Sequence, residues 1–359
     1  MLYAKWIHGS EDIAEAKQVR QAVFVDEQGY TPEQEFDATD ALSWHVIALD
    51  EETPVGTGRL YVQDGQYCIG RLCVLPEYRG QGIGEAMVGL LIDRAMMIGA
   101  HPDDCDISTY SITTRLVRAG CTVRFVSMTT GNAGHQTLRG KELAAVRARE
   151  AQASAALLGV TYEILPFDDG RLTPSLEARE TLMRTIRRFQ PDVIFTNRPC
   201  DYHPDHRATG QLVQDCAYLL GVPAICPDTP PLRYTPVILY WHDPFTDPKP
   251  FRPDFARPAD GDRETLFQVE CRHASQFLDW LPWADDRVDL AGKTEAERRA
   301  YLRRQFEADD GNVDDAVHAC LRRQYGADFA DAVRFAESWQ VSEYGEEVGD
   351  ALRALLTGL

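Results

Sequence analysis

Two short stretches hold most of the side chains that could do chemistry: Ala100-His101-Pro102-Asp103-Asp104 and Asp201-Tyr202-His203-Pro204-Asp205-His206. Each gathers imidazole and carboxylate around a proline that stiffens the backbone. Catalytic zinc typically takes three protein N/O ligands and keeps one position for water. His101, Asp104 and His206 supply such a set, and Asp103 and His203 then remain free for proton work. Either stretch alone reads as well as turn chemistry. Together, each just beyond an expected strand, they point to one divalent metal: zinc suits this borderline donor set, and iron is the alternative. A third stretch, Arg79-Gly80-Gln81-Gly82-Ile83-Gly84, follows an expected strand and opens a helix. Glycines there let backbone N–H groups approach an anion, and the helix dipole adds to the attraction, so a phosphate is the natural ligand. It is not a dinucleotide fingerprint, because no βαβ unit encloses it; alone, a plain glycine-rich turn explains it equally well.

The elements that must position these residues change character along the chain. Residues 11–27 have helical spacing, and SWHVIALD, PVGTGRLYVQDG and YCIGRLCVL read as strands joined by short turns, which predicts an antiparallel sheet. From Arg94 the rhythm becomes strand, helix, strand: AMMIGAH, CTVRFVSMT, TYEILPF, DVIFTN and PVILYW alternate with helical stretches such as 141–159 and 175–189. That alternation predicts an α/β fold with a doubly wound, mostly parallel, Rossmann-like sheet, whose ligands bind beyond the carboxyl ends of the strands. The expected organisation is an α+β domain over 1–93, the α/β domain over 94–293 and a polar helical extension over 294–359.

Composition narrows the class. The chain has 359 residues, 44% hydrophobic and 26% charged, with a formal charge of −19. The first 93 residues alone carry six basic and sixteen acidic side chains. Such a balance argues against nucleic acid, whose affinity rests on Lys and Arg neutralising phosphates. No apolar run is long enough to cross a bilayer, and MLYAKWIHGSED lacks the apolar stretch of a secretory signal, so the expected compartment is the cytoplasm. Nine scattered cysteines without a Cys-x-x-Cys pair read as reduced thiols. A homo-oligomer is compatible with all of this.

Residues 94 to about 345 resemble the PIG-L/LmbE-like N-acetylglucosaminyl deacetylases. The resemblance is carried by AHPDD (100–104), VRFVSMTTGNAGH (123–135), RAREAQASAALLGV (147–160), DDGRL (168–172), DYHPDH (201–206), CRHASQ and SEYG (342–345). It implies zinc-dependent hydrolysis of the acetamide of an N-acetylated amino sugar or conjugate, with His101, Asp104 and His206 as ligands and Asp103 as general base. It also implies a protonated His203 that stabilises the oxyanion and Arg147 near sugar hydroxyls. Asp205 is the alternative base, Tyr202 a candidate contact to the carbonyl, and a surface ion pair with Glu150 the plainer reading of Arg147. One departure stands out: Tyr110 and Ser111 occupy positions where the family usually has glycine, which predicts a narrowed pocket or a shifted helix.

Residues 1–93 resemble the N-terminal and central part of a GNAT acetyltransferase, through QVRQAVFVDEQGY and the RGQGIG loop. The resemblance implies acetyl-CoA or CoA held by Arg79, Gly80, Gly82 and Gly84, with the pantetheine arm along the strand of Leu72 and Val74. It stops near Ala95, before the strands that normally complete the acceptor site. The expectation is CoA binding without efficient transfer. The alternatives are a CoA-dependent N-acetyltransferase, a bifunctional acetyltransferase/deacetylase, and a domain that only binds a regulator or partner.

Overall fold

The computed structural model describes residues 2–63, 66–84, 87, 94–285 and 288–358. The chain divides into two compact units. The first comprises residues 1–93, 118–121 and 347–359, and the second residues 94–117 and 122–346.

The first unit is built on a four-stranded antiparallel sheet in the order β1-β2-β3-β4. Its strands are β1 (Leu2–His8), β2 (Trp44–Asp50), β3 (Thr53–Gln63) and β4 (Gln66–Val74). β1 was not legible in the sequence. Helix α1 (Ala14–Arg20) continues as a wider turn through Glu27, and its helical spacing buries Ile13, Ala16, Val19 and Val23. Beneath lie Ile47, Leu49 and Cys73. β4 slips register against β3 between Thr57 and Arg59, where Arg71 takes a left-handed φ of 56°. Most of the helix expected after the glycine loop (residues 85, 86 and 88–93) lies outside the described residues.

The second unit carries a seven-stranded sheet in the order β10-β11-β9-β8-β5-β6-β7. In chain order its elements are β5 (Arg94–Gly99), α2 (Asp104–Ser108), α3 (Tyr110–Arg118), β6 (Thr122–Thr129), α4 (Gly140–Leu158), β7 (Thr161–Phe167) and α5 (Leu176–Phe189). They continue with β8 (Val193–Thr196), α6 (Pro204–Ala217), β9 (Val237–Trp241), β10 (Phe255–Pro258), α7 (Arg263–Arg272), α8 (Glu295–Ala308), α9 (Asp315–Tyr325) and β11 (Ala336–Val341). β5 to β9 are parallel, whereas β10 and β11 run antiparallel at one edge. This is the doubly wound sheet the alternation predicts. Met96, Ile98, Val126 and Ile194 on one face pack against Leu182, Met183, Ile186, Leu212 and Val213 of α5 and α6, and α2 packs on β5 and β6. The strand order reverses at β5 and β8, which are neighbours, so the loops after them open at the topological switch point.

The stretch 294–359 is not wholly helical. Ala336–Val341 becomes β11 between β9 and β10, with Ala336, Glu337, Ser338 and the fully enclosed Trp339 all buried and Trp339 packing on Phe195. The final helix, Asp350–Thr357, belongs to the first unit and packs against β4 through a segment that buries Leu352, Leu355 and Leu356. Among the described residues, no helix is long and apolar enough to cross a membrane.

Tyr110 and Ser111 are accommodated by a break in the helix. α2 ends at Ser108 and α3 starts afresh at Tyr110. Tyr110, 4% exposed, packs with Ala259 and Leu266, and the buried Glu337 carboxylate accepts from the N–H groups of Ser111 at 2.7 Å and Ile112 at 2.8 Å. A carboxylate thus satisfies the free donors of the helix start.

Candidate metal centre

The loop after β5 and the loop leading into α6 bring three candidate ligand atoms together. His101 Nδ1 lies 3.2 Å from His206 Nε2. Asp104 Oδ2 lies 3.4 Å from His206 Nε2 and 3.7 Å from His101 Nδ1. Ligands on a tetrahedral zinc, with bonds of ~2.0–2.1 Å, stand about 3.4 Å apart. The triangle therefore fits a small divalent cation, and two imidazole nitrogens facing each other beside a carboxylate need a cation or a proton among them. His203 also presents a ring nitrogen within 4.8 Å of those of His101 and His206.

Each ligand is oriented from behind. Asp104 Oδ2 accepts from the N–H of Ala100 and of His101, at 2.7 and 3.0 Å. Asp201 Oδ1, 3.1 Å from His206 Nδ1, turns Nε2 of that ring inward. On the far side of His101, Nε2 lies 3.2 Å from Asp169 Oδ1 and 3.4 Å from Asp205 Oδ2. Asp169 and Asp205 are themselves fixed by backbone donors: Ala133 and Gly134 for Asp169, Gly170 and Leu172 for Asp205. Such carboxylate–histidine pairs set which ring nitrogen is left for the metal. Asp205 thus faces His101 from the side opposite the ligand triangle, a place suited to orienting the ring.

The electrostatics follow from this anionic cage. Burial works against a charged His101, but Asp104, Asp169 and Asp205 outweigh it and raise its pKa well above the ordinary histidine value. Burial likewise opposes a charged His206, and Asp104 and Asp201 reverse that. Asp104 and Asp169 are held below the usual carboxylate range against burial, the first by His206 and His101, the second by His101. His203 goes the other way: burial, then the neighbouring His101 and His206, lower its pKa. The protonated form expected from the sequence is therefore disfavoured. Its Nδ1 accepts from the N–H of Asp205 at 3.2 Å, capping α6, which leaves a neutral Nε2–H as the donor.

Asp103 and Arg147 meet. Arg147 Nη2 donates to Asp103 Oδ1 at 2.8 Å, and Arg147 is 2% exposed. The surface pairing with Glu150 does not form, since Glu150 instead accepts from Ser275 N and Oγ at 2.8 and 2.6 Å. Tyr202 is 67% exposed, with its ring 5.4 Å from that of His206 and stacked 6.1 Å from Phe245. Asp169 and Asp201 were not singled out from the sequence. Asp201 begins the DYHPDH stretch and Asp169 lies in DDGRL, but neither spacing reveals which histidine each one faces.

In the first unit, Leu72 and Val74 lie on β4 and pack toward Val46, Val55, Ile83 and Met87. Gly80 and Gly82 adopt φ of +73° and +77° with open space where a side chain would be, and a Cβ on Gly84 would sit 3.5 Å from Val74 Cγ2. Arg79 is committed elsewhere: it donates to both oxygens of Glu27, at 2.8 and 2.6 Å, and to Val74 O at 3.0 Å.

Comparison with known proteins places each region. Residues 96–217 match the family of GlcNAc-PI de-N-acetylases, PIG-L, and residues 12–102 match the GNAT acetyltransferase family. A diacetylchitobiose deacetylase of Thermococcus kodakarensis is 31% identical over 138 residues, 37% of this chain and 52% of the relative. The uncharacterized N-acetyltransferase YjcF of Bacillus subtilis is 38% identical over 90 residues, 25% of this chain and 64% of the relative. The chain thus spans about half of the first and under two thirds of the second. Among solved structures, N,N'-diacetylchitobiose deacetylase of Pyrococcus horikoshii, complexed with its inhibitor MPG, superposes with a TM-score of 0.53 at 26% identity, covering 70% of this chain and 85% of that one. The hydratase GalB of Pseudomonas putida shares the fold at 16% identity and a TM-score of 0.51, over 72% of this chain and all of its own. Along the chain a match to the GNAT family model is thus followed by a match to the PIG-L model, the two overlapping at residues 96–102.

Proposed function

We propose that the second unit is a metal-dependent N-deacetylase, hydrolysing the acetamide of an N-acetylated amino sugar or its conjugate. The observation that carries this reading is the triangle of His101 Nδ1, Asp104 Oδ2 and His206 Nε2, with edges of 3.2, 3.4 and 3.7 Å. The deacetylases among the relatives support the substrate class. A divalent cation, zinc in this reading, supplies Lewis-acid polarisation of the amide carbonyl and acidifies water. The chain's own residues do the rest. Asp103 accepts a proton from the attacking water and returns it to the amine as the C–N bond breaks. The Nε2–H of His203 donates to the oxygen on which negative charge develops, and Tyr202, exposed beside His206, is a further candidate contact to that carbonyl.

Because GalB shows that this fold also supports hydration, fold alone does not choose the chemistry. The test is metal analysis of the purified protein, followed by assay of acetate and primary amine released from N-acetylglucosamine and N,N'-diacetylchitobiose. Equal amounts of the two products are expected. Release from acetylated peptides alone would reject the sugar class.

For the first unit the reading is acetyl-CoA or CoA binding without efficient transfer, favoured by the open surroundings of Gly80 and Gly82. Calorimetry with acetyl-CoA tests it: binding should vanish in Gly82→Asp. Robust acetyl transfer to an amino sugar would instead establish the bifunctional alternative.

A further inference from the structure

Arg147 is almost fully enclosed, and Asp103 engages its guanidinium. Beyond the bond to Asp103, its Nη1 lies 3.5 Å from Gly131 O and its Nε is buried with no partner. Gly131 lies flat against the guanidinium at φ +63°, where a Cβ would fall 2.6 Å from Nη1 and 2.8 Å from Cζ. Only glycine combines that backbone angle with so close an approach. The side chains of Arg147 and Asp103 are 3% and 12% exposed. A buried ion pair adds little net stability compared with apolar packing, so its place beside the metal loop is better explained by geometry than by stability.

We infer that Arg147 is a positioning residue for Asp103. It engages Oδ1 and leaves Oδ2, which has no protein donor among the described residues, as the oxygen that takes the proton from water and passes it to the departing amine. The pairing itself is independent of the deacetylase reading; only the proton step rests on it. A substrate-binding arginine would act mainly on KM, whereas one that acts through the base acts on kcat.

The experiment uses the full metal-loaded chain, N,N'-diacetylchitobiose as probe, and Arg147→Lys, Asp103→Asn and the double variant. Arg147→Lys should lower kcat about 10²-fold, the scale of an ångström-sized misplacement. KM should stay within about twofold and bound metal should not change. In the Asp103→Asn background the same change should cost nothing further. A raised KM with kcat preserved, or full additivity of the two losses, would overturn the inference. If Arg147→Lys does not fold, Gly131→Ala, which displaces the guanidinium, should give the same split. A second arm needs neither metal nor substrate. In urea unfolding of the apo chain, the double variant should lose no more midpoint than the worse single variant, and additive losses refute the pairing. Coupled midpoints in a wild type that releases no amine would reject the deacetylase reading and leave the pairing standing.

Discussion

At the scale of single residues, the centre separates ligands from the groups that aim them, and variants should separate the same way. His206→Ala removes one corner of the triangle and should abolish most metal binding, read by elemental analysis after dialysis. Asp201→Asn and Asp169→Asn act on the far nitrogens of His206 and His101 and leave the ligand atoms in place. Each should weaken metal about 10- to 100-fold, as is usual for partners behind a ligand, measured by competition with a chelating dye. Asp103→Asn should keep the metal and lose ~10²- to 10⁴-fold in turnover. That His101, Asp104 and His206 could act together was legible because HPDD and HPDH state their residue types within a few positions. Their orienting partners were not, since Asp169 reaches His101 only through the fold. Arg147 was visible as a helical arginine, but linear sequence does not show that Gly131 closes over it.

At the scale of elements, the alternation of short apolar strands with helices was enough to predict the parallel sheet, and hence that the loops after β5 and β8 would converge. The edge of the sheet was hidden. AESWQV lies inside a polar stretch and shows no strict apolar alternation, and only the pairing with β9 and β10 makes it a strand. The start of α3 was equally unreadable, because the carboxylate that caps it comes from β11, more than 200 residues away in sequence. That cap carries a pH dependence. Burial raises the Glu337 pKa from an ordinary 4.5 to about 8, although the N–H groups of Ser111 and Ile112 pull it down. A carboxyl whose folded pKa is raised contributes stability that is complete below its unfolded pKa and lost as pH climbs through the folded one. The urea midpoint should therefore fall between about pH 5 and about pH 8, and Glu337→Gln should flatten that decline. An unchanged slope in the variant would place the titration elsewhere.

At the scale of the whole molecule, the chain's last helix returns to the unit that its first residues build. Leu352, Leu355 and Leu356 are buried there, in a tail whose sequence reads only as a generic polar helix. Leu356→Ala should cost about 2–5 kcal/mol, seen as faster hydrogen exchange in β1 to β4, with metal content unchanged. In the function proposed above, the convergence of His101, Asp104 and His206 makes a metal-dependent amide hydrolase. Its most direct test is to strip the full chain with chelator and add zinc back in steps, following both bound metal and primary amine released from N,N'-diacetylchitobiose. One ion per chain is expected, with amine release that rises in proportion to occupancy. Undiminished release from the stripped protein, or stoichiometric binding that leaves both N,N'-diacetylchitobiose and N-acetylglucosamine intact, would contradict it.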